Sequence, residues 1–123
     1  MSINYKGIIW AGIFLEDLEE GIKFYQNTLE LKLLERKEDY AHFDAGNGEL
    51  LELFSEGKAS SAPKSTDIQS TLFALRVDDL NFTVETLKNR GVKFTENTGT
   101  FENMRWATLV DPEGNCIAIK EIH

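Results

Sequence analysis

The chain has 123 residues, of which 41% are apolar and 28% charged, and its formal net charge is −8. This composition is typical of one globular domain with its own core, and the acidic surplus disfavours nucleic acid as a partner. No apolar run is long enough to cross a bilayer, and the single cysteine, Cys116, excludes an intrachain disulfide. We therefore expect a cytoplasmic protein that does not bind membranes.

The first half of the chain predicts a strand, a helix and three further strands. Residues 8–15 are a run of apolar, β-forming residues. Asp17 then offers a helix N-cap, and apolar residues recur after it at helical spacing. The remaining strands are predicted over residues 31–35, 40–45 and 49–54.

The second half repeats that order after a polar linker over about residues 55–70. Asp79 occupies the helix-cap position equivalent to Asp17. Strands are predicted on both sides of this helix, and a loop is predicted over residues 96–103. We therefore predict a single domain over residues 1–123, made of two β-α-β-β-β modules over about 5–55 and about 70–123.

Three segments of the chain resemble the vicinal oxygen chelate superfamily, which includes glyoxalase I, bleomycin resistance proteins and extradiol dioxygenases. They are residues 14–31 (FLEDLEEGIKFYQNTLEL), 76–94 (RVDDLNFTVETLKNRGVKF) and 111–121 (DPEGNCIAIKE). The last is the most specific, because a DPxGN turn followed by an alternating strand closes most members. The resemblance implies an α+β fold in which two βαβββ modules form a curved, half-open mixed sheet with helices on its convex side. It also implies a homodimer.

The resemblance further implies where a metal ion would bind. Metal-using members place a histidine seven residues before each capping aspartate and an oxygen ligand on the last strand of each module. The histidine positions fall on Trp10 and Leu72, and the oxygen-ligand positions fall on Glu52 and Ala118. Indole, isobutyl and methyl groups offer a divalent cation no lone pair, so only Glu52 can ligate. We expect no metal site and no other cofactor.

Alternation along the predicted strands places a mixed set of side chains on the concave face of the sheet. The opposite face is uniformly apolar, so we expect it to pack beneath the helices. Two interpretations of the concave face stay open: a small-molecule cleft, and a closed barrel filled by its own aromatic side chains. The predicted ligand-binding residues are Trp10, Phe14, Phe43, Glu52, Phe54, Leu72, Arg76 and Trp106.

Glu52 and His42 leave further alternatives open. Glu52 is either a lone carboxylate that binds a ligand or acts as a base, or the partner of Arg76 in a salt bridge. If the β-hairpin pairs Asp44 with Glu49, His42 points away from Glu52, whereas an odd-length loop would reverse its direction. Cys116 is expected to be a small buried filler.

Two functions follow from this pattern. The first is a metal-independent small-molecule binding protein similar to the bleomycin resistance proteins, for which we assign no catalytic residue. Its expected partners are a small ligand of cationic or aromatic character and a second copy of the chain. The alternative is an enzyme of the same superfamily, such as a lactoylglutathione lyase, with a reduced or atypical metal site. A partner-binding domain without a small ligand is a third possibility.

Overall fold

The computed structural model describes residues 2–123 and shows a strand followed by a helix at the start of each half. In the first half, β1 (Trp10–Phe14) leads to α1 (Leu18–Lys23), which continues into a π-helical turn (Phe24–Thr28). The strands that follow are β2 (Lys32–Arg36), β3 (Tyr40–Gly46) and β4 (Glu49–Phe54). In the second half, β5 (Ala74–Arg76) leads to α2 (Leu80–Asn89). The strands that follow are β6 (Lys93–Phe94), β7 (Gly99–Phe101), β8 (Met104–Val110) and β9 (Cys116–Ile122).

The two sheets have the same connectivity. Their strand orders are β1-β4-β3-β2 and β5-β9-β8-β6, and the short β7 pairs with β8 outside that order. In each sheet the first strand runs parallel to the last, and the other pairings are antiparallel. This confirms the predicted α+β fold of two βαβββ modules. Strand β7 lies where the sequence predicted a loop.

Each helix begins at the predicted aspartate. The Oδ1 atom of Asp17 accepts a hydrogen bond from the Glu20 N–H at 3.2 Å, and Oδ1 of Asp79 accepts from the Phe82 N–H at 3.0 Å. Such caps satisfy donors that would otherwise be unpaired, and each contributes about 1 kcal/mol. No helix among residues 2–123 is long and apolar enough to cross a membrane.

One hydrophobic core joins the two modules. Alternate residues of the central strands and the apolar stripes of both helices point into it, as the alternation predicted. Alternation also places Ile9 on the core face, but that prediction is wrong, because Ile9 precedes β1 and is 67% exposed. The core includes Ile13, Leu15, Leu18, Ile22, Leu51, Leu53, Leu80, Leu87, Leu109, Ile117 and Ile119.

The turn between β8 and β9 holds the first helix of the chain. The carboxylate of Glu113 accepts hydrogen bonds from the backbone N–H groups of Glu16 and Asp17 at 2.6 and 2.7 Å. Tyr25 donates its hydroxyl to Asp111 at 2.8 Å, and burial, with a smaller effect of that carboxylate, raises the pKa of the phenol well above its usual value. Hydrogen bonds from the DPEG turn therefore hold the second module against the first.

The linker lies along the same turn. Ser60 and Lys64 donate their backbone N–H groups to the carbonyls of Glu113 and Gly114 at 2.9 and 2.8 Å. The side-chain amide of Gln69 bonds both backbone groups of Cys116, at 2.7 and 2.8 Å. The side chain thus substitutes for a neighbouring strand at the start of β9.

Candidate functional site

Glu52 lies at the centre of the first sheet, with its side chain 13% exposed. Its Oε1 atom accepts a hydrogen bond from the indole N–H of Trp10 at 2.9 Å. Its Oε2 atom lies 2.8 Å from Nε2 of His42. The contact with His42 is an ion pair when the imidazole carries both protons, and a hydrogen bond when a neutral imidazole carries its proton on Nε2. Each carboxylate oxygen therefore has a partner within the first module.

Neighbouring strands bring these three side chains together. Gly12 on β1 and His42 on β3 both lie opposite Glu52 on β4. The indole of Trp10 lies over Gly12, where a Cβ atom would come within 2.5 Å of the ring. Glycine is therefore required at position 12 for the indole to reach Glu52 along the sheet.

Three aromatic rings lie on the same sheet face as the carboxylate, and one of them, Trp10, contacts it. Phe14 stacks on Phe54 with ring centroids 5.0 Å apart, and Trp10 lies 6.1 Å from Phe54. Phe14 is 59% exposed and Trp10 is 46% exposed. We call the group formed by Trp10, Phe14, His42, Glu52 and Phe54 the Glu52 surface. It combines exposed rings with a partly buried carboxylate.

The β3–β4 hairpin corrects two predictions. Its pairing register shifts between Asp44 and Gly46, which moves β3 by one position relative to β4. His42 therefore lies opposite Glu52, and the prediction that it points to the other face is wrong. Phe43 lies on the core face and is fully buried, so the prediction that it lines a cleft is also wrong.

The remaining predicted site residues lie in the second module. Arg76 and Trp106 lie on the second sheet, and Leu72 precedes it and is 48% exposed. Among residues 2–123 no ion pair joins Glu52 to Arg76, because Glu52 pairs with residues of its own sheet.

Lys120 lies beside Arg76 and Trp106 on the second sheet. It lies opposite both Arg76 and Trp106, and its Nζ atom is 5.6 Å from the centroid of the indole. We call these three residues the Arg76 row. Lys120 is not among the predicted site residues, although alternation from Ala118 along the last strand places it on the concave face.

The donors do not fit a divalent metal. At the family's histidine position Trp10 presents an N–H to Glu52 rather than a lone pair, and Ala118 has no donor atom. His42 and Glu52 supply two donors, and within the described chain no group of three His, Cys, Asp or Glu side chains could hold an ion. The chemistry available here is stacking, hydrogen bonding and proton exchange.

A groove of about 390 Å³ adjoins the exposed ring of Phe14. Residues of β1, the linker, the segment between the linker and β5, and the start of β9 line it, including Ile68, Phe73 and Cys116. Burial, with a smaller effect of Asp111, raises the pKa of the Cys116 thiol, which keeps it in the unreactive protonated form. Apolar and polar side chains both line the groove, so it adds a mixed surface beside Phe14.

Comparison with known proteins identifies both a family and a fold. A family model described as Glyoxalase/Bleomycin resistance protein/Dioxygenase superfamily matches residues 7–119. A glyoxalase/dioxygenase from Nostoc punctiforme has a TM-score of 0.79 and 19% identity, over 99% of each chain. A lactoylglutathione lyase from Agrobacterium tumefaciens has a TM-score of 0.74 and 18% identity, over 95% of this chain and 94% of that one. A glyoxalase/bleomycin resistance protein/dioxygenase from Alicyclobacillus acidocaldarius has a TM-score of 0.73 and 22% identity, over 95% of this chain and 92% of that one.

Proposed function

Because the chain belongs to the glyoxalase/bleomycin resistance protein/dioxygenase superfamily, we propose that it is a metal-independent small-molecule binding protein. The ligand would bind on the Glu52 surface. One observation carries this proposal: at the family's first histidine position stands Trp10, whose indole donates a hydrogen bond to Glu52. The arrangement replaces a metal ligand with an aromatic ring and leaves the carboxylate in place.

The exposed rings define the ligand that fits. Phe14 and Trp10 keep about half of their surface in contact with water, so a flat apolar molecule gains by covering them. A carboxylate has about four lone-pair sites, and the internal partners of Glu52 use two of them. The remaining sites can accept an N–H from the ligand. A planar cation suits both features, since each cation–π contact contributes about 0.5–2 kcal/mol.

A ligand screen by thermal shift tests this proposal. Planar cationic aromatic compounds should raise the melting temperature of the parent protein equally with and without divalent metals. A ligand present at about 100 times its dissociation constant stabilises the folded state by about 2.7 kcal/mol. Glu52→Gln and Trp10→Ala should each reduce that stabilisation.

Phe82→Ala is the matched control, because it removes an exposed aromatic ring of α2, 68% exposed, and leaves the Glu52 surface intact. It should preserve the response to the ligand. If no compound of this class stabilises the parent, or if stabilisation depends on an added metal, the proposal is wrong.

A second copy of the chain is the proposed protein partner. Strand β1 forms an edge of the first sheet, and the segment before it exposes Ile8 and Ile9 by 84% and 67%. Open edges and exposed apolar residues favour association, and the family resemblance implies a homodimer. Sedimentation equilibrium should give a dimer mass. A monomer mass at every concentration would remove this proposal and leave the ligand proposal standing.

His42 favours one alternative, an enzyme with an atypical site. Its imidazole touches Glu52 on an exposed aromatic surface, and such a pair can exchange a proton with a bound molecule. Under this alternative, His42→Gln would abolish turnover of a bound compound while preserving its binding. If the parent protein binds compounds but converts none of them, the enzyme alternative is wrong and the binding function is retained.

A further inference from the structure

The three side chains of the Arg76 row leave the same face of the second sheet at one level. Arg76 lies opposite Lys120 in the parallel pair of β5 and β9, and Lys120 lies opposite Trp106 in the antiparallel pair of β9 and β8. Residues opposite each other on neighbouring strands are about 5 Å apart, so their side chains interact. Two cations and an indole are therefore adjacent.

Among residues 2–123 no carboxylate forms an ion pair with either cation of the row. Arg76 is the one arginine among residues 2–123 that makes no ion pair, whereas Arg36, Arg90 and Arg105 each contact a carboxylate. Lys120 also makes none in that part of the chain. Like charges directly opposite each other destabilise a sheet. An unrelieved pair of cations is notable in a chain whose net charge is −8.

The indole beside these cations is held flat on the sheet. The ring of Trp106 lies over Gly99, where a Cβ atom would come within 2.8 Å of it. Its N–H donates to the side-chain oxygen of Asn97 at 3.3 Å. Because both contacts restrain the ring, it is a fixed apolar surface at the end of the row.

We propose that the Arg76 row binds a small organic anion with a flat apolar part, such as an aromatic carboxylate or an aromatic phosphate ester. The guanidinium of Arg76 matches the paired oxygens of either group, and the ammonium of Lys120 adds a second charge. The flat part of the anion would pack against Trp106. This proposal does not rest on the function of the Glu52 surface, which has the opposite charge.

Benzoate and phenyl phosphate are the probes, and benzamide is the uncharged control. Titration at low salt, followed by ¹H–¹⁵N NMR of the parent protein, should shift the indole N–H of Trp106 more than that of Trp10. Arg76→Gln and Lys120→Gln should each weaken binding about tenfold, as expected when a charged hydrogen bond is lost. Affinity should fall with added salt, and benzamide should bind more weakly than either anion.

Lys88→Gln is the matched control for the lost charge. The Nζ atom of Lys88 lies 5.7 Å from the ring centroid of Phe94, so this lysine also contacts an aromatic ring. The variant should bind both probes like the parent. A preference for benzoate over phenyl phosphate, or the reverse, would identify the anion class.

Lys120→Glu provides a test that does not depend on the other variants folding. It should pair with Arg76, raise the denaturation midpoint and abolish binding of both probes. The proposal is overturned if Lys88→Gln weakens binding as much as Arg76→Gln, if the shifts centre on Trp10, or if neither anion binds.

Discussion

The two modules use one scaffold to build surfaces of opposite charge. In the first, Trp10 lies over Gly12 and donates its N–H to an acid that also touches His42. In the second, Trp106 lies over Gly99 and beside Lys120. Both oxygens of Glu52 have partners within its own module, whereas Arg76 and Lys120 make no ion pair among residues 2–123. An internal repeat can thus keep its strand order while its two sheet faces acquire different chemistry.

The largest expected effect is a difference in stability loss between a core residue and a residue of the Glu52 surface. Phe43→Ala should lower the free energy of unfolding by about 3–5 kcal/mol, because it empties a fully buried site. Trp10→Ala should cost less than half as much, because water can enter the space left by a half-exposed ring. Chemical denaturation measures both. Equal losses would mean that the first sheet face is a filled barrel.

The second effect concerns metals and tests the difference between the modules. The parent protein should contain no stoichiometric zinc, nickel, iron or manganese by elemental analysis. Trp10→His should gain zinc binding, because an imidazole there would join His42 and Glu52 as a third donor.

Leu72→His is its counterpart in the second module and should gain nothing, because Ala118 supplies no oxygen ligand. Isothermal titration with zinc distinguishes the two variants. One tightly held ion in the parent, lost in Glu52→Ala, would contradict the metal-free interpretation.

The third effect tests whether each indole requires the glycine beneath it to lie flat on the sheet. Gly12→Ala and Gly99→Ala should each destabilise the protein by about 1–3 kcal/mol, because the new Cβ atoms would collide with Trp10 and Trp106. Only Gly12→Ala should break the bond from an indole to Glu52. The indole N–H resonances report that difference, and an unchanged Trp10 signal in Gly12→Ala would contradict it.

The smallest effect is a loss of stability at alkaline pH. Folding raises the pKa of Tyr25, so its contribution to stability is complete below the pKa of the unfolded chain, about 10. That contribution falls as the pH rises from there toward the folded pKa, by up to about 1.4 kcal/mol per pH unit. Tyr25→Phe should flatten this dependence. Denaturation midpoints measured on both sides of that pH provide the comparison.

Local signals predicted most of the fold. The aspartates at both helix starts and the DPEG turn act within a few residues, so their effects are visible in the sequence. The register of the β3–β4 hairpin, by contrast, could not be predicted from such local signals. One extra residue between Asp44 and Gly46 exchanges the two faces of β3, and alternation alone does not reveal it.

Side-chain contacts between residues far apart in the sequence could not be predicted either. Tyr25 and Asp111 are 86 positions apart, and the sequence around either residue gives no indication that the two will form a hydrogen bond. The same holds for the Trp10–Glu52 bond, whose partners are 42 positions apart. Strand alternation predicted their shared face, but not that the indole would reach the carboxylate.

The position of Glu113 has a consequence for synthesis of the protein on the ribosome. Its backbone partners, Glu16 and Asp17, precede it by 97 and 96 positions. Because a nascent chain is synthesised at about 5–20 residues per second, several seconds pass between synthesis of the first helix and synthesis of Glu113. During that time the core face of the first module has no second module to cover it. A chain terminated before Glu113 would keep this face exposed and become a substrate for chaperones and proteases rather than a folded half-protein.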